Sequence, residues 1–299
     1  MGVDVPWDRL IRFVAKDGQI YYGEPILSAE LLDIGKISID PNPPVSARVI
    51  QGNPLSESCV FTGECKQVQK ILCPLAPEAV PAVRCIGGNY KTHLNELGVG
   101  VARFPTMFSK FPTSIIGSGD TIVVPKIAQD DQADYEIELV VVMGKDAKHC
   151  SLENALDHVV GYTVGNDVSA RKWQMDPELI GTHPPPQISF SKAFDTFCPI
   201  GPMIVSARVV GDPHSLRLRT FVNGQLRQDG NTSSMIFNIP QIIQFCSQGS
   251  TISAGSIILT GTPSGVGYAM NPPNFLRPGD KIEMEIEKIG TLVNTVSYE

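Results

Sequence analysis

The stretch DDQADYEIELVVVMGKDA, residues 130–147, is the part of the sequence that decides the fold. Its centre alternates two sets of side chains and is rich in β-branched residues, which is typical of a β-strand. One face would carry Tyr135, Ile137, Leu139 and Val141, and the other would carry Glu136, Glu138, Val140 and Val142. Both faces become apolar after Glu138, as in a strand that is covered on both sides. The pattern therefore predicts a strand that carries two carboxylates into a buried layer.

The two carboxylates lie on one face of this predicted strand. Like charges on a buried face are costly unless a cation lies between them, and oxygen ligands favour Mg²⁺, Mn²⁺ or Ca²⁺ over zinc. The alternative is a solvated face, as expected for Glu283 and Glu285, which also alternate with apolar residues but have lysines and a turn beside them. A metal site would need a third carboxylate.

Asp167 is the candidate for that third carboxylate. It lies in VVGYTVGNDVSARKWQ, residues 159–174, where a second buried strand ends and a helix could begin at Ser169. The alternative role for Asp167 is a helix cap. Arg171 and Gln174 are three residues apart and would share one helix face, which suits them to hold a carboxylate and an oxo group.

A possible proton-transfer pair lies in CIGGNYKTHLNELG, residues 85–98. His93 and Glu96 are three residues apart and would face one another on a helix. A histidine with a carboxylate partner can act as a base or carry a proton. The alternative is an exposed helical salt bridge.

Length, charge and cysteine spacing exclude several classes of protein. A chain of 299 residues can form one large domain, or a small and a larger one. The net charge of −7 and the pI near 5.3 argue against nucleic acid or an anionic membrane as a partner. The seven cysteines show no CxxC spacing, so neither a zinc site nor a disulfide framework is expected.

The sequence predicts a cytoplasmic protein, although a mitochondrial location is not excluded. It has no apolar segment of membrane-spanning length. Asp4 and Asp8 make the first residues a poor transit peptide.

Turn signals and apolar runs predict a mostly β protein with few helices. Residues 1–70 are expected to form a small β-rich N-terminal domain, and residues 71–299 the main domain. Hairpins are predicted at Asp17–Gly18, at Asn223–Gly224 and in the final segment KIEMEIEKIGTLVNTV. Two helices are predicted, one near residues 152–159 opened by Ser151 and one near residues 239–247.

Six segments in order resemble the fumarylacetoacetate hydrolase superfamily over about residues 80–299. They are GGNYKTHLNE, TMFSKF, DYEIELVVVMGK, GYTVGNDVSARKWQ, FSKAFDTFCPIGP and LTGTPSGVG. The segments NTSSMIF and NPPNFLRPGDKIEMEIEKIG are most similar to the fumarylacetoacetate hydrolase domain-containing protein 2 subgroup and its fungal relatives. The resemblance implies a mixed β roll with a small N-terminal domain, usually a homodimer, that holds one Mg²⁺ or Mn²⁺.

The same resemblance implies roles for ten residues. The metal ligands would be Glu136, Glu138 and Asp167. His93 and Glu96 would be the proton-handling dyad on a short lid helix that orders when substrate binds, and Lys192 would stabilise enolate charge. The substrate contacts would be Tyr90, Arg171, Gln174 and Thr262.

The superfamily resemblance implies an enzyme that acts on a 2-oxo dicarboxylic acid through an enolate at the metal. The subgroup favours oxaloacetate enol–keto tautomerisation. Acylpyruvate hydrolysis and oxaloacetate decarboxylation are the alternatives, and a non-catalytic metal-bound binding protein is the third.

Two positions depart from the family pattern, and four other residues have a role that stays open. Lys172 follows "SAR" where relatives usually have Asp, and Ser191 stands where Gly is common. His183 lies in the loop GTHPPPQISFS, which is expected to line the pocket, and could be either solvated or a specificity contact. Simpler roles remain for Lys192 as a snorkelling side chain, Thr262 as a turn residue and Tyr90 as a packing residue.

Overall fold

The computed structural model describes residues 2–27, 33–37, 45–181 and 187–299. These residues form a mostly β structure, as the sequence predicted. The strands are β1 (Arg9–Ala15), β2 (Ile20–Ile26), β3 (Ser46–Gln51), β4 (Val60–Leu72), β5 (Val83–Gly87), β6 (Thr106–Lys110), β7 (Ile115–Ile116), β8 (Thr121–Val124), β9 (Ala133–Asp134), β10 (Ile137–Met143), β11 (Val159–Asn166), β12 (Ser169–Ala170), β13 (Cys198–Ser206), β14 (Arg217–Val222), β15 (Gln225–Asn231), β16 (Ile257–Leu259), β17 (Lys281–Ile286) and β18 (Gly290–Tyr298).

The helices are short. They are α1 (Ile34–Ile37), α2 (Lys91–Leu97), α3 (Arg171–Met175), α4 (Pro177–Ile180), α5 (Ile188–Lys192), α6 (Ala207–Val210) and α7 (Ile239–Cys246). No helix among the described residues is both long and apolar enough to span a bilayer.

The predicted strand β10 lies in the interior of the main sheet. It pairs antiparallel with β11 on one side and with β16 on the other, and all its residues are buried. Leu139 and Val141 pack into one hydrophobic core and Val140 and Val142 into another. The prediction that this strand is covered on both faces is confirmed.

The main sheet has eleven strands, and its path runs β2-β3-β4-β1-β13-β11-β10-β16-β5-β6, with β7 beside β13. Because β2 also pairs with β1, the four N-terminal strands close on themselves. Hydrogen bonds between β1 and β13 join these strands to the main sheet. The division into domains at residue 70 stays a prediction.

A second sheet, in the order β15-β14-β17-β18-β8, packs beside the first. All three predicted hairpins form. Gly18 turns between β1 and β2, and the Asn223–Gly224 turn joins β14 to β15. Both Asn223 and Gly224 have positive φ, at 51° and 76°, as the type of turn predicted for Asn–Gly requires. The last hairpin joins β17 to β18.

The two predicted helices have different outcomes. The second is confirmed as α7, which begins with a capping box in which Asn238 and Gln241 bond each other's backbone N–H groups. The first is wrong, because only a 3₁₀ turn forms, at Ala155–His158. The Ser151 N–H donates to the Asn154 side chain at 2.9 Å, so the chain makes a local turn here and then enters β11.

Candidate metal centre and substrate cavity

The register between β10 and β11 brings three carboxylates together. Ile137 pairs with Asn166 and Glu138 pairs with Gly165, so Glu136 and Asp167 lie side by side just beyond the two strands. The Asp167 N–H donates to the Glu136 carbonyl at 2.9 Å. Oxygen atoms of Glu136, Glu138 and Asp167 all lie within 4.8 Å of one another, and all three residues are buried. A slip of one residue in the register would turn the glutamates to the opposite face of the sheet.

Two of the three carboxylates have cations beside them. The Lys192 ammonium lies 2.9 Å from Glu136 Oε2 and 2.5 Å from Asp167 Oδ2. Lys110 donates to Asp167 Oδ1 at 2.5 Å, and Arg171 lies 2.7 Å from Glu136 Oε1. Burial opposes ionisation of Glu136, but Lys192 and Arg171 outweigh it and hold the Glu136 pKa below its usual range.

Glu138 is the carboxylate without a cation. Within the described ranges it forms no ion pair, and its Oε2 accepts one backbone N–H, from Gly261 at 2.6 Å. Burial raises the Glu138 pKa well above its ordinary value, and the charges of Asp167 and Glu136 raise it further. A positive charge at this point would relieve the repulsion.

The carboxylate cluster therefore fits a hard divalent cation. Its three buried ligands are all carboxylate oxygens, the donor type that Mg²⁺ and Mn²⁺ prefer. The charged side chains buried around it include four carboxylates and three cations, namely Asp134, Glu136, Glu138 and Asp167 against Lys110, Arg171 and Lys192. The unbalanced negative charge, and the lack of an ion pair for Glu138 within the described ranges, both favour a bound metal ion.

Helix α2 carries the predicted proton-transfer pair. His93 Nδ1 lies 2.7 Å from Glu96 Oε1, and the His93 side chain is almost wholly buried. The second oxygen of Glu96 accepts the Gly265 N–H at 2.8 Å. The two side chains are therefore held in place by largely buried contacts. The alternative considered from the sequence, an exposed salt bridge on a helix, is wrong. Helix α2 ends at Gly98, which has a left-handed φ of 67°.

A cavity of about 310 Å³ lies between this helix and the carboxylate cluster. Seven of the predicted site residues line it, namely His93, Glu136, Glu138, Arg171, Gln174, Lys192 and Thr262. Tyr268 adds a further polar residue to the lining. Leu94, Val99 and Ile188 contribute an apolar wall. The volume suits a small acid with a few carbon atoms, and the lining places a histidine and a lysine in the same space.

The Arg171–Gln174 pair forms as the spacing predicted. Arg171 donates to the Gln174 side chain at 3.1 Å on α3. The helix begins at Arg171, however, because Ser169 and Ala170 pair with β9. The predicted start at Ser169 is therefore two residues early, and the Asp167 side chain binds lysines instead of capping the helix.

Tyr90 and Thr262 occupy different positions relative to the cavity. The Thr262 side chain lines it, and its hydroxyl accepts a hydrogen bond from Gln228 at 2.8 Å. Tyr90 is wholly buried, and its hydroxyl has no hydrogen-bond partner among the described residues. Burial raises the Tyr90 pKa, and the nearby Glu138 charge raises it further. Its predicted contact with substrate stays a prediction.

Three buried polar residues of the site were missed from the sequence. Lys110 holds Asp167, Gln228 holds Thr262, and Asp134 holds Arg171 at 2.8 Å. Lys110 and Asp134 lie inside the segments TMFSKF and DYEIELVVVMGK, so their presence in those segments was the available signal. No signal in the sequence identified Gln228, because the pattern of its segment is typical of an exposed strand in a hairpin.

The structure describes both residues that depart from the family pattern, Ser191 and Lys172. Ser191 is buried and its hydroxyl donates to the Ile188 carbonyl at 2.9 Å, one turn back on α5. Lys172 is half-buried on α3. His183 lies outside the described residues.

Comparisons with known proteins identify relatives over most of the chain. Residues 82–297 match the family described as "Fumarylacetoacetate (FAA) hydrolase C-terminal". A protein of Xenopus laevis named "Oxaloacetate tautomerase fahd2, mitochondrial" is 40% identical over 299 residues, which cover 96% of this chain and 90% of that protein. A human protein named "Oxaloacetate tautomerase FAHD2A, mitochondrial" is 45% identical over 223 residues, with 74% of this chain and 68% of that protein covered.

A solved structure shows the same fold. The 5-carboxymethyl-2-hydroxymuconate delta-isomerase from Mycobacterium smegmatis superposes with a TM-score of 0.78 at 31% identity. The match covers 97% of this chain and 100% of that chain. The predicted roll is therefore the observed fold, and it extends through the N-terminal strands.

Proposed function

Because this chain belongs to the fumarylacetoacetate hydrolase family, we propose that it is an oxaloacetate enol–keto tautomerase that depends on Mg²⁺ or Mn²⁺. The observation that carries the proposal is the placement of His93 and Lys192 in one cavity with Glu136 and Glu138 of the carboxylate cluster. The names of the relatives from Xenopus laevis and Homo sapiens support the choice of oxaloacetate among 2-oxo acids.

Glu136, Glu138 and Asp167 would hold the metal ion. When bound, the ion supplies a Lewis acid that polarises the oxo and carboxylate oxygens of a 2-oxo acid. Arg171, Gln174 and Thr262 line the cavity and orient the acid, and the apolar wall limits water around it.

Lys192 and His93 divide the remaining chemistry. The Lys192 ammonium lies in the cavity wall and is favoured as a cation, since the carboxylates of Asp167 and Glu136 outweigh burial and raise its pKa. It would stabilise the negative charge that develops on the enolate oxygen. In the enol-to-keto direction His93 would take the proton from the enol hydroxyl and deliver a proton to the carbon next to the oxo group, so that none is gained or lost overall. Glu96 would hold the imidazole in the orientation that the 2.7 Å contact shows.

The test follows enol-oxaloacetate by absorbance in the presence of Mg²⁺, with pyruvate release measured in the same sample. We expect rapid loss of the enol with no matching release of pyruvate. Pyruvate formed in step with the loss would make the protein a decarboxylase. Cleavage of an acylpyruvate at a higher rate would make it a hydrolase, and no reaction with any 2-oxo acid would favour a binding protein.

The assembly and the cellular compartment are part of the proposal. We propose a homodimer, which the family resemblance suggests, and its test is the mass of the purified protein in solution by light scattering. The relatives from Xenopus laevis and Homo sapiens carry "mitochondrial" in their names, whereas the sequence predicted a cytoplasmic protein. Imaging of the tagged full-length protein decides between the two compartments.

A further inference from the structure

Asp134 is a buried carboxylate that joins two parts of the site and has no role in the reaction described above. It is fully buried at the end of β9. Its Oδ2 accepts from Arg171 Nε at 2.8 Å and from the Tyr268 N–H at 3.0 Å. Its Oδ1 accepts from the Gly267 N–H at 2.7 Å and from the Tyr135 N–H at 2.9 Å. One side chain thus fixes both a cavity residue and the turn at residues 265–268.

Arg171 depends on Asp134 for one of its three anchors. The other two are the Gln174 side chain at 3.1 Å and the Glu136 carboxylate at 2.7 Å. Glu136 is a candidate metal ligand, so its negative charge would be shared with the metal ion. Asp134 is the carboxylate beside Arg171 that is not also a candidate metal ligand.

Asp134 also holds the turn at residues 265–268, because it accepts the Gly267 and Tyr268 N–H groups. Gly267 allows the close approach, because a Cβ atom at this position would lie 2.7 Å from Asp134 Oδ1 and 2.2 Å from the Asn274 carbonyl. The Tyr135 hydroxyl gives a second anchor, donating to the Gly265 carbonyl at 3.1 Å. Tyr268, the last residue of the turn, lines the cavity.

The same turn holds helix α2, for which the family resemblance implies the role of a lid. The Gly265 N–H donates to Glu96 Oε2 at 2.8 Å, and the other oxygen of Glu96 holds His93. A continuous set of contacts therefore runs from Arg171 through Asp134 and the turn to Glu96 and His93. It connects the group that would orient the acid with the group that would move its proton.

We propose that Asp134 is a positioning residue. It fixes Arg171 and the turn at residues 265–268 relative to the His93–Glu96 pair on helix α2. This inference rests on the proposed function, because it concerns the substrate of the same cavity. Asp134 is not among the residues that line the cavity. It acts through Arg171 and through the turn.

The test compares Asp134→Asn with the wild-type protein in amide hydrogen exchange and in steady-state kinetics with enol-oxaloacetate. An amide at this position keeps the shape but loses the charge that Arg171 and the turn require. We expect exchange at residues 265–268 and 91–97 to rise at least tenfold, and KM to rise about tenfold with Mg²⁺ affinity unchanged. Faster exchange with unchanged KM and kcat would leave Asp134 a structural residue only and overturn the proposal.

Asp229→Asn is the matched control. Asp229 accepts from Arg217 Nε at 2.8 Å in the same way, but the pair is exposed on β14 and β15. We expect wild-type kinetics and wild-type exchange at residues 265–268 in this variant. Kinetic defects of equal size in Asp134→Asn and Asp229→Asn would contradict the positioning role.

A second variant keeps the proposal testable if Asp134→Asn does not fold. Tyr135→Phe removes one anchor of the same turn and leaves the Asp134–Arg171 pair in place. We expect faster exchange at residues 265–268 and 91–97 in Tyr135→Phe, and unchanged exchange there would overturn the link between turn and lid. The exchange measurement is independent of catalysis. A wild-type protein without tautomerase activity would therefore refute the proposed function while exchange still decides whether Asp134 holds the turn.

Discussion

Neutralising Glu138 and neutralising Glu136 should change the stability of the metal-free protein in opposite directions. Glu138 has no ion-pair partner within the described ranges, and it lies within 4.8 Å of two other carboxylates. One pair of like charges at that distance costs about 3 kcal/mol at an effective dielectric constant of about 20. Lys192 offsets part of this cost. Because the Glu138 pKa is raised, the metal-free wild type at pH 7 either bears this repulsion or takes up a proton on folding, and Glu138→Gln avoids both costs. We therefore expect Glu138→Gln to raise the free energy of unfolding at pH 7 by about 1–3 kcal/mol.

Glu136→Gln should have the reverse effect. Glu136 lies between Lys192 at 2.9 Å and Arg171 at 2.7 Å, so its neutralisation leaves two buried cations short of a partner. Loss of one partner of a buried ion pair costs about 3 kcal/mol. For a chain of this size, 1 kcal/mol corresponds to a shift of roughly 2 °C in the melting temperature.

The assay is calorimetric melting of both variants and of the wild type, with a chelator and with Mg²⁺ at 100 times its dissociation constant. Wild type should gain about 2.7 kcal/mol from the metal, and neither variant should gain it, because each has lost one of the three proposed metal ligands. Glu138→Gln should melt above wild type in chelator, and Glu136→Gln below it. A melting temperature for Glu138→Gln as low as that of Glu136→Gln would refute the argument from repulsion.

Three further outcomes are expected from the site. Lys192→Ala should lower kcat about 100-fold at saturating Mg²⁺ with little change in KM, since its charge acts on the developing enolate; steady-state kinetics that show only a raised KM would reduce Lys192 to a substrate contact. His93→Ala should lose most tautomerase activity, about 100-fold or more, whereas Glu96→Gln should keep a measurable part, and Mg²⁺ binding by calorimetry should survive in both; wild-type rates in His93→Ala would show that the proton carrier is another group. Mg²⁺ affinity should rise with pH, because the Glu138 pKa is raised above 4.5 in the folded chain and its proton competes with the metal. An Mg²⁺ affinity that calorimetry finds independent of pH would contradict the raised pKa of Glu138. The same raised pKa affects the stability of the metal-free protein: the contribution of neutral Glu138 is full below pH 4.5 and is lost as pH rises through the folded pKa.

The sequence predicted the features of the fold that depend on local pattern. The alternation around Leu139 and the apolar run that follows it indicated a doubly covered strand, and β10 has that environment. Asn223 and Gly224 indicated a hairpin because few other residue pairs adopt positive φ so readily. The helix expected after Ser151 failed because the Asn154 side chain favoured a local turn, which apolar spacing does not reveal.

The candidate site was predictable only in part, because its contacts join distant parts of the chain. The spacing of His93 and Glu96 indicated their contact, since both lie on one helix. The approach of Asp167 to Glu136 depends on the pairing register of two strands, which the sequence does not specify by itself. Gln228 lies 34 residues from Thr262, and no local pattern connects a polar strand residue with a glycine-rich turn.

The dependence of enol-oxaloacetate decay on Mg²⁺ tests the central claim most directly. Chelated wild-type protein is titrated with Mg²⁺, and the rate of enol loss is compared with the same titration of Glu138→Gln. We predict a saturable rise in the wild type, with a midpoint equal to the calorimetric dissociation constant of one ion per chain, and no rise in the variant. Wild-type turnover at full rate in chelator, or an equal Mg²⁺ response in Glu138→Gln, would contradict the account.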